Sequence, residues 1–215
     1  MKITGFAAGP FQTNCYVFIN EDLPGNPAFV VDPSLGAYPK VMEVVQQEDA
    51  SLCAVLLTHG HIDHTRDAGL FALPTHIHPA DEFMLDGGEG VSLRLRLPFD
   101  VDNMKPIADV RHVQDGENLT LAGITLRARH APGHSPGSTL FVGAGFVIAG
   151  DVLFRGSVGR TDLPHSDPDK MQDSLRGPVW EIDDDAAVLP GHGPTTVMAH
   201  ERATNPFLLA ACAGR

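Results

Sequence analysis

The chain has 215 residues, 43% of them apolar and 20% charged, which suits a soluble globular protein with a sizeable core. A formal net charge of −12 repels phosphate backbones and argues against a nucleic-acid partner. No apolar run approaches membrane-spanning length, so no membrane partner is expected either.

Met1-Lys2-Ile3-Thr4-Gly5 lacks the long apolar core of a signal peptide, and a cytoplasmic location is the expectation. Residues 2–8 and 14–20 read as strands joined by Gly9-Pro10-Phe11-Gln12, with the aromatic bias of sheet at Tyr16 and Phe18. A turn at Leu23-Pro24-Gly25-Asn26-Pro27 leads to a strand over 28–31 that ends at Asp32-Pro33. Val41, Val44 and Val45 at helical spacing predict a helix over 38–48. Cys15, Cys53 and Cys212 form no CxxC pair and no disulfide framework; Cys15 and Cys53 sit in apolar context and are expected as buried thiols.

Ala54-Val55-Leu56-Leu57 reads as a buried strand, and Thr58-His59-Gly60-His61-Ile62-Asp63-His64 follows it directly. Alternate side chains of an extended segment share a face, so His59 and His61 can converge on one cation. Asp63 and His64 lie past the strand end and can turn toward a second. A helix is predicted from His64 to Leu73, then a strand over 75–78 and a helix from Pro79. His76 and His78 raise a second HxH pair, but no carboxylate or histidine follows at matching spacing, so a structural or surface role is expected. Asp86-Gly87-Gly88-Glu89-Gly90 reads as mobile. Leu93-Arg94-Leu95-Arg96-Leu97 alternates as a strand would. Residues 85–106 are a candidate lid, with Arg94 or Arg96 offered to an anionic substrate, or else a plain surface excursion.

From about 109 the pattern is hairpins, with strands over 109–113, 117–121, 124–129, 139–142 and 146–149 and turns at Asp115-Gly116, Ala122-Gly123 and Gly143-Ala144-Gly145. Prolines and glycines make 130–138 a loop that carries His134, and Gly150-Asp151 follows the last of these strands. A helix over 167–182 is interrupted at Gly177-Pro178, with Trp180 as a core anchor. A strand over 186–189 ends at Pro190-Gly191-His192-Gly193-Pro194, and a short helix from Thr195 closes the chain. Without repeats or linkers, one domain over 1–215 is the simplest reading.

One grammar recurs at His59–His64, His134, Asp151 and His192: an apolar strand ends, a glycine-rich loop begins, and a metal-ligand residue sits at the junction. Five histidines and two aspartates are too many for one tetrahedral ion and suit two ions sharing a carboxylate. Asp151 is the natural bridge, since a carboxylate has two oxygens and an imidazole one free lone pair. Nitrogen and oxygen donors without thiolate point to two divalent cations, zinc foremost, while iron or manganese suit the same donors.

The set His59-x-His61-x-Asp63-His64, His134, Asp151 and His192 resembles the metallo-β-lactamase superfamily, from Asn14-Cys15-Tyr16 through Asn205-Pro206-Phe207. That resemblance implies a four-layer αββα sandwich of the α/β (α+β) class, with metals at one edge of its two sheets. It implies one site from His59, His61 and His134 and another from Asp63, His64 and His192, with Asp151 bridging. The stretches from Gly150 to Asp162, from Pro190 to Thr196, and Glu201-Arg202 with Asn205-Pro206-Phe207 are similar to the short, single-domain hydroxyacylglutathione hydrolase (glyoxalase II) group. The stretch after His192 is too short for the C-terminal helical domain of that group's full-length members. Arg160 matches a position where the group places a basic substrate-binding residue; an ion pair at the sheet edge is the plain alternative.

The resemblance implies hydrolysis of a small-molecule thioester such as an S-2-hydroxyacyl thiol, by a hydroxide bridging two cations about 3.5–4 Å apart. Asp63 is expected both to hold a cation and to orient the nucleophile. The rival within the fold is a persulfide dioxygenase with one iron on His59, His134 and Asp151. A non-catalytic, metal-stabilised scaffold is the alternative outside enzymes. Lactonase, lactamase and nuclease readings are weaker.

Overall fold

The computed structural model describes residues 1–88 and 91–213. Seven strands and three helices make up the first half of the fold: β1 Lys2–Ala8, β2 Thr13–Ile19, β3 Pro27–Val31, α1 Ala37–Gln47, β4 Ser51–Leu56, α2 Ile62–Thr65, β5 Thr75–Ile77, α3 Leu93–Arg96, β6 Val110–His112 and β7 Asn118–Leu121. The second half runs β8 Ile124–His130, β9 Thr139–Gly143, β10 Phe146–Gly150, β11 Leu153–Phe154, β12 Ser157–Val158, α4 Pro168–Ser174, β13 Ala187–Pro190, β14 Thr196–Val197, α5 Met198–Thr204 and α6 Pro206–Ala211.

Among the described residues, β1 to β6 form one six-stranded sheet in sequence order, and β14-β13-β10-β9-β8-β7 form another. In the first sheet β1, β2 and β3 pair antiparallel, whereas β3 through β6 run parallel. The sheets face each other across Phe18, Phe29 and Leu56 from one side and Leu126, Phe141 and Ile148 from the other. Phe18 stacks on Phe29 with ring centres 4.8 Å apart. Behind the first sheet, Val30, Val55 and Leu57 pack on Ala37 and Val41 of α1. Behind the second, Leu140, Val147 and Val188 pack on α4, α5 and α6 through Met171, Met198 and Leu208. The layers are therefore helix, sheet, sheet, helix, as the αββα reading requires.

Local chemistry explains the helix starts. Asp167 accepts hydrogen bonds from the Asp169 and Lys170 amides with Pro168 at the first turn of α4. Asn205 does the same for α6 ahead of Pro206. Trp180 is half-buried against the core behind the second sheet, with the Arg202 guanidinium 4.6 Å over its ring.

Four expectations need correction. Leu93–Arg96 is a helical turn, not a strand. Leu95 turns toward a cavity while Leu97 is 89% exposed, a split that residues two apart on one strand face cannot make. The helix expected from His64 to Leu73 is instead the single turn α2 and a 3-10 turn over Ala68–Phe71. The Asp67 amide donates to Pro33 O, which removes the bond that would have continued the helix. Cys15 is buried, but Cys53 is exposed. Ala28 pairs with Leu52 and Phe29 with Ala54, so Cys53 is the extra residue of a bulge and is pushed outward. Residues 196–197 form a strand before the last helices, and the β11–β12 ribbon was not foreseen. The expected mobility over 86–90 falls partly on Glu89 and Gly90, outside the described residues. No helix among the described residues is long and apolar enough to cross a membrane.

Candidate metal centre

Strand ends deliver the polar cluster. The loop after β4 carries His59 and His61, α2 carries Asp63 and His64, the β8–β9 loop carries His134, the residue after β10 is Asp151, and the residue after β13 and Gly191 is His192. All seven meet at one edge of the sandwich. Their donor atoms fall into three overlapping groups, each within 4.8 Å: His59, His61 and His134; His59, His64 and Asp151; Asp63, His64 and His192.

Ring orientations are fixed from behind. The Asp32 carboxylate accepts the Thr58 amide at 2.8 Å and the Thr58 hydroxyl at 2.7 Å, and its Oδ2 lies 2.9 Å from His64 Nδ1. With its proton given to Asp32, the Thr58 oxygen is left to accept from His59 Nδ1 at 3.0 Å. His134 Nδ1 meets Arg160 O at 2.9 Å, and His192 Nδ1 meets Phe11 O at 3.1 Å. Each of these four rings thereby turns Nε2 toward the cluster, the arrangement by which outer partners orient metal-ligating imidazoles. His61 differs: its Nδ1 faces inward, 3.1 Å from His59 Nε2 and 2.9 Å from His134 Nε2.

Three ring nitrogens aimed at one another would repel as bare lone pairs, and a shared cation would relieve that repulsion. Burial and the neighbouring imidazoles push the His59 ring far below the usual histidine range. Burial and His134 hold His61 down at about 4. Both are neutral at pH 7, the form that binds metal. In the other half, burial opposes ionisation of Asp63 and Asp151, yet the charge of His64 beside them wins and both are held low. The same carboxylates, with Asp32, raise His64 against its burial. Asp151 lies between the halves, with Oδ1 3.4 Å from His64 Nε2 and Oδ2 3.4 Å from His134 Nε2 and 3.5 Å from His192 Nε2. His64 Nε2 and Asp151 Oδ1 are buried and make no hydrogen bond. Two orphaned ligand atoms, a ring nitrogen and a carboxylate oxygen, buried beside neutral imidazoles fit divalent cations.

Two glycines make the approach possible. A Cβ on Gly191 would sit 2.1 Å from Asp151 Oδ1. Gly150 holds φ at +48°, and a Cβ there would lie 2.5 Å from the Thr58 hydroxyl.

Sequence reasoning missed two carboxylates. Asp32 ends β3 as Asp151 follows β10, and the same strand-end signal would have found it. Asp81 is fully buried on the 3-10 turn after Pro79; it accepts the amides of Gly60 and Gly137 at 2.9 and 2.5 Å and the Ser135 hydroxyl at 2.6 Å. It ties the His59–His61 loop to the His134 loop, and no sequence spacing announces that. The first hairpin also reaches the site. Thr13 donates to Asp63 at 3.2 Å and bridges to His192, while the Asn14 amide donates to Gly191 O at 2.7 Å and Tyr16 Oη to Pro190 O at 2.8 Å.

Arg160 is exposed at the cavity rim, and its Nε and terminal nitrogen both bind the Asp162 carboxylate, at 2.8 and 2.9 Å. Arg96 pairs with Asp102 and does not line the cavity. His76 is buried on β5, and the His78 ring stacks on His130 at 4.0 Å, apart from the cluster.

Comparison with known proteins bears on this geometry. Residues 8–192 match the family model described as the Metallo-beta-lactamase superfamily. Hydroxyacylglutathione hydrolase GloC of Haemophilus influenzae is 33% identical over 97% of this chain and 98% of its own length. Among solved structures, TTHA1623 in a di-iron-bound form superposes with a TM-score of 0.81 at 33% identity, covering 95% of this chain and 99% of that one. BLEG-1, a B3 metallo-beta-lactamase, also reaches 0.81, at 30% identity over 96% of this chain and 99% of its own.

Proposed function

The chain belongs to the metallo-beta-lactamase superfamily, and from that premise we propose that it is a binuclear metallohydrolase that cleaves thioesters. The observation that carries the reading is the seven-residue cluster split into two halves about Asp151, open to a cavity of about 470 Å³. The similarity to a hydroxyacylglutathione hydrolase supports the choice of bond.

His59, His61 and His134 would hold one cation, Asp63, His64 and His192 another, with Asp151 shared. Divalent cations at such a site supply Lewis acidity toward a carbonyl oxygen and acidify water to near neutral pH. The protein's own groups do the rest. Asp32 and the two backbone carbonyls keep the imidazoles turned inward. Asp63, buried and held in its carboxylate form, lines the cavity and orients the attacking water, while Thr13 fixes its Oδ2 from behind. A thiol leaving group, with a pKa near 8.5, needs no strong acid to depart. Zinc is the expected cation, and iron or manganese suit the same donors.

One adjacency favours a second reading. His59, His134 and Asp151 form a two-histidine, one-carboxylate set, the pattern of non-haem iron oxygenases. Metal per chain, S-lactoyl thioester hydrolysis and oxygen uptake with a persulfide, measured on one preparation, separate the two. Two metals with thioester turnover and no oxygen uptake are expected; one iron with oxygen uptake would replace the hydrolase, and metal without either turnover would leave a scaffold.

A further inference from the structure

The cavity over the cluster has a polar floor and walls of another character. Phe11, Met84, Val91, Leu95, Phe154 and Leu163 line it beside the cluster. Phe11 is 49% exposed and rests edge-on against Phe99 with ring centres 5.1 Å apart. Among the described lining residues, Arg160 is the one lysine or arginine, and its Nε and one terminal nitrogen are bound to the Asp162 carboxylate. The lining thus offers no unpaired guanidinium or ammonium to a substrate. A tripeptide thiol such as glutathione carries two carboxylates and one ammonium, and each carboxylate laid against these apolar walls would be desolvated without a partner. A hydrocarbon chain meets the opposite conditions, since every methylene laid against these walls leaves water.

We infer that this site takes a thioester flanked by a neutral hydrocarbon group, and that Leu95 and Leu163 set its specificity. The inference rests on the thioester reading above but is tested apart from it, with thioethers that no hydrolase can cleave. Calorimetry compares S-butyl, S-hexyl and S-octyl derivatives of N-acetylcysteamine with the same alkyl series on glutathione. Affinity is expected to rise roughly fourfold per methylene, and at each length the neutral N-acetylcysteamine thioether should bind more tightly, with the gap narrowing in high salt. Leu95→Asp and Leu163→Asp, each checked for a native melting transition and metal content, should flatten the chain-length series. Should one fail to fold, the wild-type series alone decides. A flat wild-type series, or tighter binding of the glutathione conjugates, overturns the inference. Thioester hydrolysis is assayed separately, so its absence would remove the enzymatic reading without touching the binding result.

Discussion

The floor and the walls of one cavity are built by different rules. Most floor residues follow strand ends and are buried, and four of the five imidazoles are turned by a named outer partner, as Asp32 turns His64. Wall residues sit on short turns and loops: Met84 on a 3-10 turn, Leu95 on the single helical turn α3, Leu163 in the loop before α4. Chemistry that must keep donor atoms in register is anchored to the sheets. Selection of a substrate side chain is left to pieces that can be exchanged without disturbing the sheets.

That contrast predicts a descending order of effects. Asp151→Asn removes the shared carboxylate and should cost more than the roughly 10–100-fold that loss of an outer partner costs in metal affinity or activity; metal content and kcat/KM check it, and full activity would break the assignment. Gly191→Ala places a methyl against Asp151 Oδ1 and His64, so metal content should fall steeply although no ligand is changed. Asp81→Ala leaves the buried Gly60 and Gly137 amides without an acceptor and removes one partner of the Ser135 hydroxyl. It should cost about 2–4 kcal/mol, read as a Tm drop of roughly 5–15 °C, together with weakened metal binding.

On the wall, Leu95→Ala should raise KM several-fold for an alkyl thioester while metal content and kcat hold. An equal loss of metal would show that wall and floor are one unit. The smallest effect lies outside both. Burial and the stacked His130 ring hold His78 at about 4, against about 6.5 in an unfolded chain. Between those values the unfolded state binds more protons, so stability should fall as pH drops from 6.5 toward 4. His78→Phe should lose less Tm between pH 8 and pH 5 than the parent protein.

The two regions also differ in how far the sequence reveals them. His59, His61, Asp63, His64, His134, Asp151 and His192 were legible because ligand-type residues, glycines and strand ends coincide, and strand ends on one edge of a sandwich converge. Asp81 was not, since it reaches the cluster through backbone amides and a serine hydroxyl of two loops far apart in the chain. Leu93-Arg94-Leu95-Arg96-Leu97 misled, because a two-residue alternation has strand meaning only where a neighbouring strand can pair with it. Cys53 misled for a local reason: one bulge reverses which face a residue takes. The core pattern, by contrast, carried through, with Val41, Val44 and Val45 packing as their spacing predicts.

The contacts of Asn14 and Tyr16 with the backbone around Gly191, and of Thr13 with His192, span nearly the whole length of the polypeptide. Such pairings close the largest loop in the chain and form slowly. His192 is therefore expected to join the cluster only after the stretch that ends β13 has docked on the β1–β2 hairpin. Cation uptake followed in a refolding experiment should lag behind sheet formation, making full occupancy a timer for the last event in folding.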